Sequence, residues 1–257
     1  MTALIITMNV LEKILFFLSA PKCVHCGAGL TIKESALCEK CRAEYELFKE
    51  RNCSLCGKML YHCSCSTKFL DSHFIHKHIK VFRYKPGEEN PANTLIYRLK
   101  RVKRSDIVRF LADDLTKAIS ASITVDSNTI ITAVPRRKSE RAKYGMDHAA
   151  LLGRAVAKRL SVRYQDLLIS KAKIAQKKAT NKEERIKNAE FKLKRENLDL
   201  SGKTVIIVDD IVTTGASIGG AAFNIKTLTP KKIYGASVAI AYKDDYKPFL
   251  TDDRFGK

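Results

Sequence analysis

At 257 residues with 45% hydrophobic side chains, the chain has the size and composition of a soluble globular protein: one generous domain, or one standard domain and a small one. Its 47 Lys and Arg against 27 Asp and Glu give a formal charge of +20, which sets aside basic partners in favour of polyanions. Nucleic acid leads that class and an acidic membrane surface comes second. The apolar run from Met8 to Leu18 is too short to span a bilayer and is interrupted by Glu12 and Lys13.

In chain order, residues 1–20 hold an amphipathic helix near 8–18 that packs on the protein itself. Residues 21–70 form a cysteine-rich module, and residues 71–257 a larger α/β domain. All eight cysteines lie in the module, as Cys23-Val-His-Cys26, Cys38-Glu-Lys-Cys41, Cys53-Ser-Leu-Cys56 and Cys63-Ser-Cys65. Repeated C-x-x-C knuckles at short separation have the spacing of structural zinc sites. A disulfide framework would need an oxidising compartment, and the first residues lack the basic start of a secretory signal, so zinc in the cytoplasm is the expectation. The simplest division puts Cys23, Cys26, Cys38 and Cys41 on one ion and Cys53, Cys56, Cys63 and Cys65 on a second. Sequence order does not fix connectivity, so interleaved pairing stays open. Eight thiolates on two Zn²⁺ would lower the net charge to about +16.

Beyond the module, His78 to Tyr84 alternates as a strand and ends at Lys85-Pro86-Gly87. Helical spacing predicts helices from about Asn93 to Arg101 and again after Ser105. A strand over Thr129–Val134, a helix over 147–160, a strand over Asp166–Ile169 and a strand over Lys232–Tyr242 follow. Such alternation predicts an open, mostly parallel sheet with helices on both faces.

The most informative stretch is Val205-Ile-Ile-Val-Asp209-Asp210-Ile-Val-Thr213-Thr214-Gly215-Ala216-Ser217. It reads as a buried parallel strand, an acidic pair, and a hydroxyl-rich turn that opens a helix from about Ser217 to Leu228. Backbone N–H groups of that turn and the helix dipole suit an anion. Two carboxylates in front of a phosphate cradle would repel a nucleoside triphosphate unless something neutral or metallic lay between. A ribose 5-phosphate fits both parts, its hydroxyls donating to the acids and its phosphate lying in the loop. Gly202-Lys203-Thr204 is no Walker loop, because it precedes the strand rather than following it.

This segment closely resembles the phosphoribosyl pyrophosphate (PRPP) loop of type I phosphoribosyltransferases. Thr132-Ala-Val-Pro-Arg136-Arg137-Lys138 resembles the pyrophosphate loop of the same enzymes, and guanidinium forks suit such an anion. Lys171 to Asn188, densely basic and without aromatics, reads as a long excursion from the core. Comparable loops close over the reaction centre of these enzymes, with Gln176, Arg185 and Asn188 as the contact residues. The same excursion also suits single-stranded DNA.

Taken together, the cysteine module, the Val-Pro-basic segment, Gly145-Met-Asp-His148, Gln176…Arg185-x-x-Asn188 and the acidic-pair loop resemble the ComF family of competence proteins. Tyr84 and Leu99-Lys100 match that family's strand and helix before the core. The family usually shows Arg-Gly-Phe-Asn-Gln where this chain has Tyr144-Gly-Met-Asp-His148. The resemblance implies a type I phosphoribosyltransferase-like fold behind a zinc module. It also implies a PRPP-binding protein of DNA uptake and natural transformation, which holds single-stranded DNA on its basic surface. A DNA-translocating helicase and peripheral membrane association would be part of that setting. In an active transferase Mg²⁺ would accompany PRPP, Asp209 and Asp210 would hold the ribose, Thr213 to Ser217 the 5-phosphate, and Arg136 and Arg137 the leaving pyrophosphate. Two other functions fit the same residues: a phosphoribosyltransferase of nucleotide salvage, and a non-catalytic zinc and DNA adaptor with a vestigial PRPP loop.

Overall fold

Five parallel strands in the order β1-β7-β6-β2-β3 form the central sheet. They are β1 (Lys77–Arg83), β2 (Thr129–Ala133), β3 (Arg163–Tyr164), β6 (Thr204–Val212) and β7 (Lys232–Ile240). A separate antiparallel pair joins β4 (Leu168–Ser170) to β5 (Phe191–Leu193). The helices are α1 (Glu39–Lys49), α2 (Pro91–Leu99), α3 (Ser105–Ser122), α4 (His148–Leu160) and α5 (Ala216–Lys226). This computed structural model describes residues 21–241 except 54–55, 61, 68–69, 71–73, 86, 103, 137–144 and 171–190. The expected helix over 8–18 therefore lies outside the described residues. Among those described, no helix is long and apolar enough to cross a membrane.

The apolar run of β6 is continuous because the strand is covered on both faces. Its side chains alternate with the period of two that a strand imposes. Ile206 and Val208 enter a core shared with Leu152 and Val156 of α4 and Leu111 and Leu115 of α3. Val205 and Ile207 enter a second core with Ile218, Ala221 and Ile225 of α5. Small residues let α5 approach closely: a Cβ placed on Gly235 of β7 would lie 3.1 Å from Ile218 Cγ2. Helix starts follow the side-chain chemistry. Asn90 accepts from Asn93 N at 2.8 Å ahead of Pro91, and Asp147 accepts from Ala150 N at 3.2 Å.

Two sequence expectations need correction. The strand expected over Asp166–Ile169 does not enter the parallel sheet. Arg163 and Tyr164 take that edge position against Ile130 and Ile131, while Leu168–Ser170 pairs with Phe191–Leu193 in the small sheet. The strand carrying the acids also runs on through them to Val212, since Ile211 and Val212 register with Ala239 and Ile240 of β7. The remaining elements fall within a few residues of expectation.

The cysteine module is packed onto the α/β domain. Tyr45 of α1 is fully buried, and its hydroxyl donates to Asp114 of α3 at 2.7 Å. Lys49 Nζ reaches the same carboxylate at 2.9 Å. Removing the acceptor strands the buried hydroxyl, while Lys49 keeps Glu46 Oε2 at 2.7 Å. Asp114→Ala should therefore lower stability by about 2 kcal/mol in a guanidinium titration, with unchanged secondary structure by circular dichroism.

Candidate phosphoribosyl site and cysteine centres

The site arises where two adjacent parallel strands send their chains to opposite faces. β2 pairs with β6 from Thr129↔Thr204 to Ala133↔Val208, and the pairing ends with Val134 N donating to Val208 O at 3.0 Å. From β2 the chain proceeds to α4 on one face; from β6 it proceeds to α5 on the other. A crevice opens between strands whose continuations diverge this way, beyond their carboxyl ends. Here it is a cleft of ≈ 460 Å³ lined by Pro135, Arg136, Asp209, Asp210, Thr213, Ser217 and, from the end of α2, Lys100. That volume is in the range of small-ligand sites.

Consecutive positions on a strand put the two carboxylates on opposite sides of β6. Asp209 Oδ1 accepts from Asp210 N at 2.8 Å, and Asp210 Oδ1 accepts from Ile211 N at 2.7 Å. Asp210 is buried, with Oδ2 3.6 Å from Lys100 Nζ and 3.7 Å from Arg136 Nη2. Those contacts are ionic only: among the described residues Asp210 Oδ2, itself buried, has no hydrogen bond. Burial, then the neighbouring Asp210, pushes the Asp209 carboxyl well above the usual carboxylate range, with Lys100 opposing.

Arg136 is fixed through its backbone, whose N–H donates to Asp147 Oδ2 at 3.1 Å. Asp147 thus caps α4 with one oxygen and pins the basic loop with the other. His148 beside it is buried, with Nδ1 making no hydrogen bond among the described residues. Burial, then the positive charge of Arg136, holds its imidazole below the ordinary range. On the other side of the cleft Thr213 and Thr214 are exposed, Gly215 is buried, and Ala216 and Ser217 open α5 with their side chains exposed. Gly215 is there for two reasons: φ is +84°, and a Cβ would lie 2.5 Å from both Leu70 Cγ and Thr67 Oγ1.

Asp209, Asp210, Arg136, Thr213, Thr214, Gly215, Ala216 and Ser217 are therefore brought together. Arg137, Gln176, Arg185 and Asn188 lie outside the described residues. Lys100 was not expected in the site. Its proximity to Asp210, across 110 positions, leaves no local signal, although Leu99-Lys100 stands out in the resemblance.

The eight cysteines gather as the simplest division expected. Sulfurs of Cys23, Cys26, Cys38 and Cys41 lie within 4.8 Å of one another, and so do those of Cys53, Cys56, Cys63 and Cys65. The separations of 3.6 Å for Cys26–Cys38 and 3.5 Å for Cys56–Cys63 far exceed a disulfide bond. They approach the edge of about 3.8 Å that a tetrahedron of Zn–S bonds requires. Without a cation the thiols diverge. Cys23, despite its burial, is brought down to about 7 by backbone N–H groups of Cys26, Cys38 and His25, whereas burial pushes Cys63 up to about 11. A divalent ion lets all four sulfurs of a quartet become thiolates.

Because the folded state raises the Asp209 carboxyl, it binds more protons than the unfolded chain above the ordinary carboxylate range, and stability falls as pH rises through that window. Asp209→Asn should therefore melt higher than wild type at pH 7 in the absence of ligand. Differential scanning calorimetry should show the gap shrinking toward pH 4.

Residues 146–256 match the phosphoribosyl transferase domain family. Competence protein ComFC of Bacillus subtilis (strain 168) is 22% identical over 196 residues, covering 74% of this chain and 77% of that protein. Among solved structures, a hypoxanthine phosphoribosyltransferase from Staphylococcus aureus aligns at 14% identity and TM-score 0.34, over 61% of this chain and 74% of its own. An adenine phosphoribosyltransferase from Saccharomyces cerevisiae aligns at 19% identity and TM-score 0.32, over 55% and 69%. Residues 146–256 thus carry the match to the phosphoribosyl transferase domain family, and the chain, with its five-stranded parallel sheet and two cysteine clusters, is similar to ComFC over about three quarters of its length.

Proposed function

We propose that the chain is a PRPP-binding protein of DNA uptake, which holds single-stranded DNA on its basic surface and PRPP in the cleft between β2 and β6. The observation that carries this reading is the convergence, in one cleft, of an acidic pair, a basic loop and a hydroxyl-rich helix start. Each part matches one part of PRPP. The N-terminus of α5 and its preceding turn take the 5-phosphate. Asp209 and Asp210 accept hydrogen bonds from the ribose hydroxyls, with Lys100 and Arg136 as the cations beside Asp210 Oδ2. Arg136 offers a guanidinium fork to the pyrophosphate.

In a transfer reaction the same residues would hold the anomeric carbon between carboxylates and a cationic leaving-group site. Positive charge developing at that carbon is stabilised by Asp209 and Asp210, while Arg136 takes the charge of the departing pyrophosphate. Placement and electrostatics do the chemistry, and no side-chain nucleophile is required. Mg²⁺ bound with PRPP would neutralise the pyrophosphate. The two cysteine quartets would hold structural Zn²⁺, consistent with their sulfur separations. DNA binding rests on the formal charge of +20 and, through ComFC, on a competence setting.

Calorimetric titration with Mg²⁺-PRPP should show binding to wild type that Asp209→Asn/Asp210→Asn loses; equal binding by both proteins would refute the site. Elemental analysis should find about two equivalents of zinc, one for each quartet, and fewer than one would refute the metal reading. Affinity for a single-stranded oligonucleotide should fall with salt, with a log–log slope of roughly −0.7 for each phosphate contacted, and a flat dependence would argue against the basic surface.

A further inference from the structure

We propose that the second cysteine centre braces the phosphate loop, so that metal held by Cys53, Cys56, Cys63 and Cys65 sets the affinity of the cleft for a phosphoribosyl ligand. The inference rests on the cleft being a phosphoribosyl site, and goes beyond it by assigning positioning roles to Thr67 and Leu70.

Two anchors locate the chain that leaves this centre. Lys80 of β1 is fully buried, and its ammonium donates to the carbonyl oxygen of Cys63 at 3.0 Å and to that of Cys65. A lysine desolvated so completely needs negative charge beside it. A quartet of thiolates around one divalent ion would carry two net negative charges, so Lys80 serves as both tether and partial counter-ion. It also fixes the second centre to the sheet, because Lys80 pairs with Ser237 of β7, which in turn pairs with Asp209 of β6.

Just beyond Cys65, Ser66 and Thr67 are buried, and Leu70 N donates to Thr67 Oγ1 at 3.3 Å. Leu70 is buried in the same core as Ile218 and Ala221 of α5. Thr67 and Leu70 lie so close to Gly215 that no side chain fits there. Gly215 is the residue on which the phosphate loop turns into α5, at φ +84°. Only Ser66 separates Cys65 from Thr67, so displacement at the metal is transmitted to the loop through little slack. The first centre touches the molecule elsewhere, with His25 Nδ1 3.0 Å from Thr94 Oγ1 of α2.

The test compares three proteins with the metal-loaded wild type. Cys63→Ser/Cys65→Ser removes two ligands of the second centre, Cys38→Ser/Cys41→Ser removes two of the first, and Leu70→Ala loosens the brace with every cysteine intact. Amide exchange at residues 213–217 is read without ligand, and Mg²⁺-PRPP affinity by calorimetry. The expected result is exchange about tenfold faster at 213–217, and PRPP affinity lowered about tenfold, in the second-centre variant and in Leu70→Ala. Leu70→Ala should retain wild-type zinc content, and the first-centre variant should keep wild-type exchange in the loop. Unchanged loop exchange in Leu70→Ala would overturn the brace, whatever the outcome for the cysteine variants. Loop exchange altered as expected, with no PRPP binding by wild type, would instead refute the phosphoribosyl reading and leave the mechanical coupling standing.

Discussion

The functional half of this molecule depends on one arrangement: β2 and β6 lie side by side, parallel and in register, while their continuations leave for opposite faces of the sheet. Parallel neighbours bring two strand ends to the same edge. Divergent crossovers keep that edge open, because neither helix lies across it. Pro135-Arg136 and Asp209-Asp210, separated by more than seventy residues in sequence, become opposite walls of one cleft for this reason alone. The uninterrupted apolar run of β6 makes the arrangement stable, since it is buried on both faces and its register with β7 leaves it no freedom to slip.

Within that frame the site holds its charges at some expense to stability. Asp209 and Asp210 are adjacent, Asp210 is buried, and two cations approach it without making hydrogen bonds. A fold optimised only for stability would complete those bonds or replace the pair with apolar residues. Among the described residues Asp210 Oδ2 stays without a hydrogen bond, and the Asp209 carboxyl is displaced from its ordinary range, a pattern that clusters at functional sites. Asp147 shows a related economy, capping α4 and holding the backbone of Arg136 with a single carboxylate.

What the sequence disclosed follows from how local each signal is. The strand, turn and helix around Asp209 are encoded in consecutive residues, so type and order were legible and only the strand's end was misplaced. Ile211 and Val212 remain in the strand because of their partners on β7, which no window on β6 can reveal. Arg163 and Tyr164 were missed as the edge strand because two residues carry no periodicity, while the more apolar Leu168–Ile169 belongs to another sheet. The cysteine quartets fell into the simplest division because each is built from sequence neighbours, although spacing alone left interleaving open. Lys100 on Asp210, Lys80 beneath the second quartet, and Thr67 and Leu70 against Gly215 are products of tertiary packing. They had no signature that a linear reading could detect.

The central claim is that the cleft between β2 and β6 receives a phosphoribosyl group in one orientation. A crystal structure of the chain soaked with Mg²⁺ and PRPP tests it most directly. The account predicts the 5-phosphate at the backbone N–H groups of residues 214–217 and ribose hydroxyls on Asp209 and Asp210. The pyrophosphate should then lie toward Arg136. PRPP bound elsewhere on the basic surface, or lying in the cleft with its phosphate away from that loop, would contradict it.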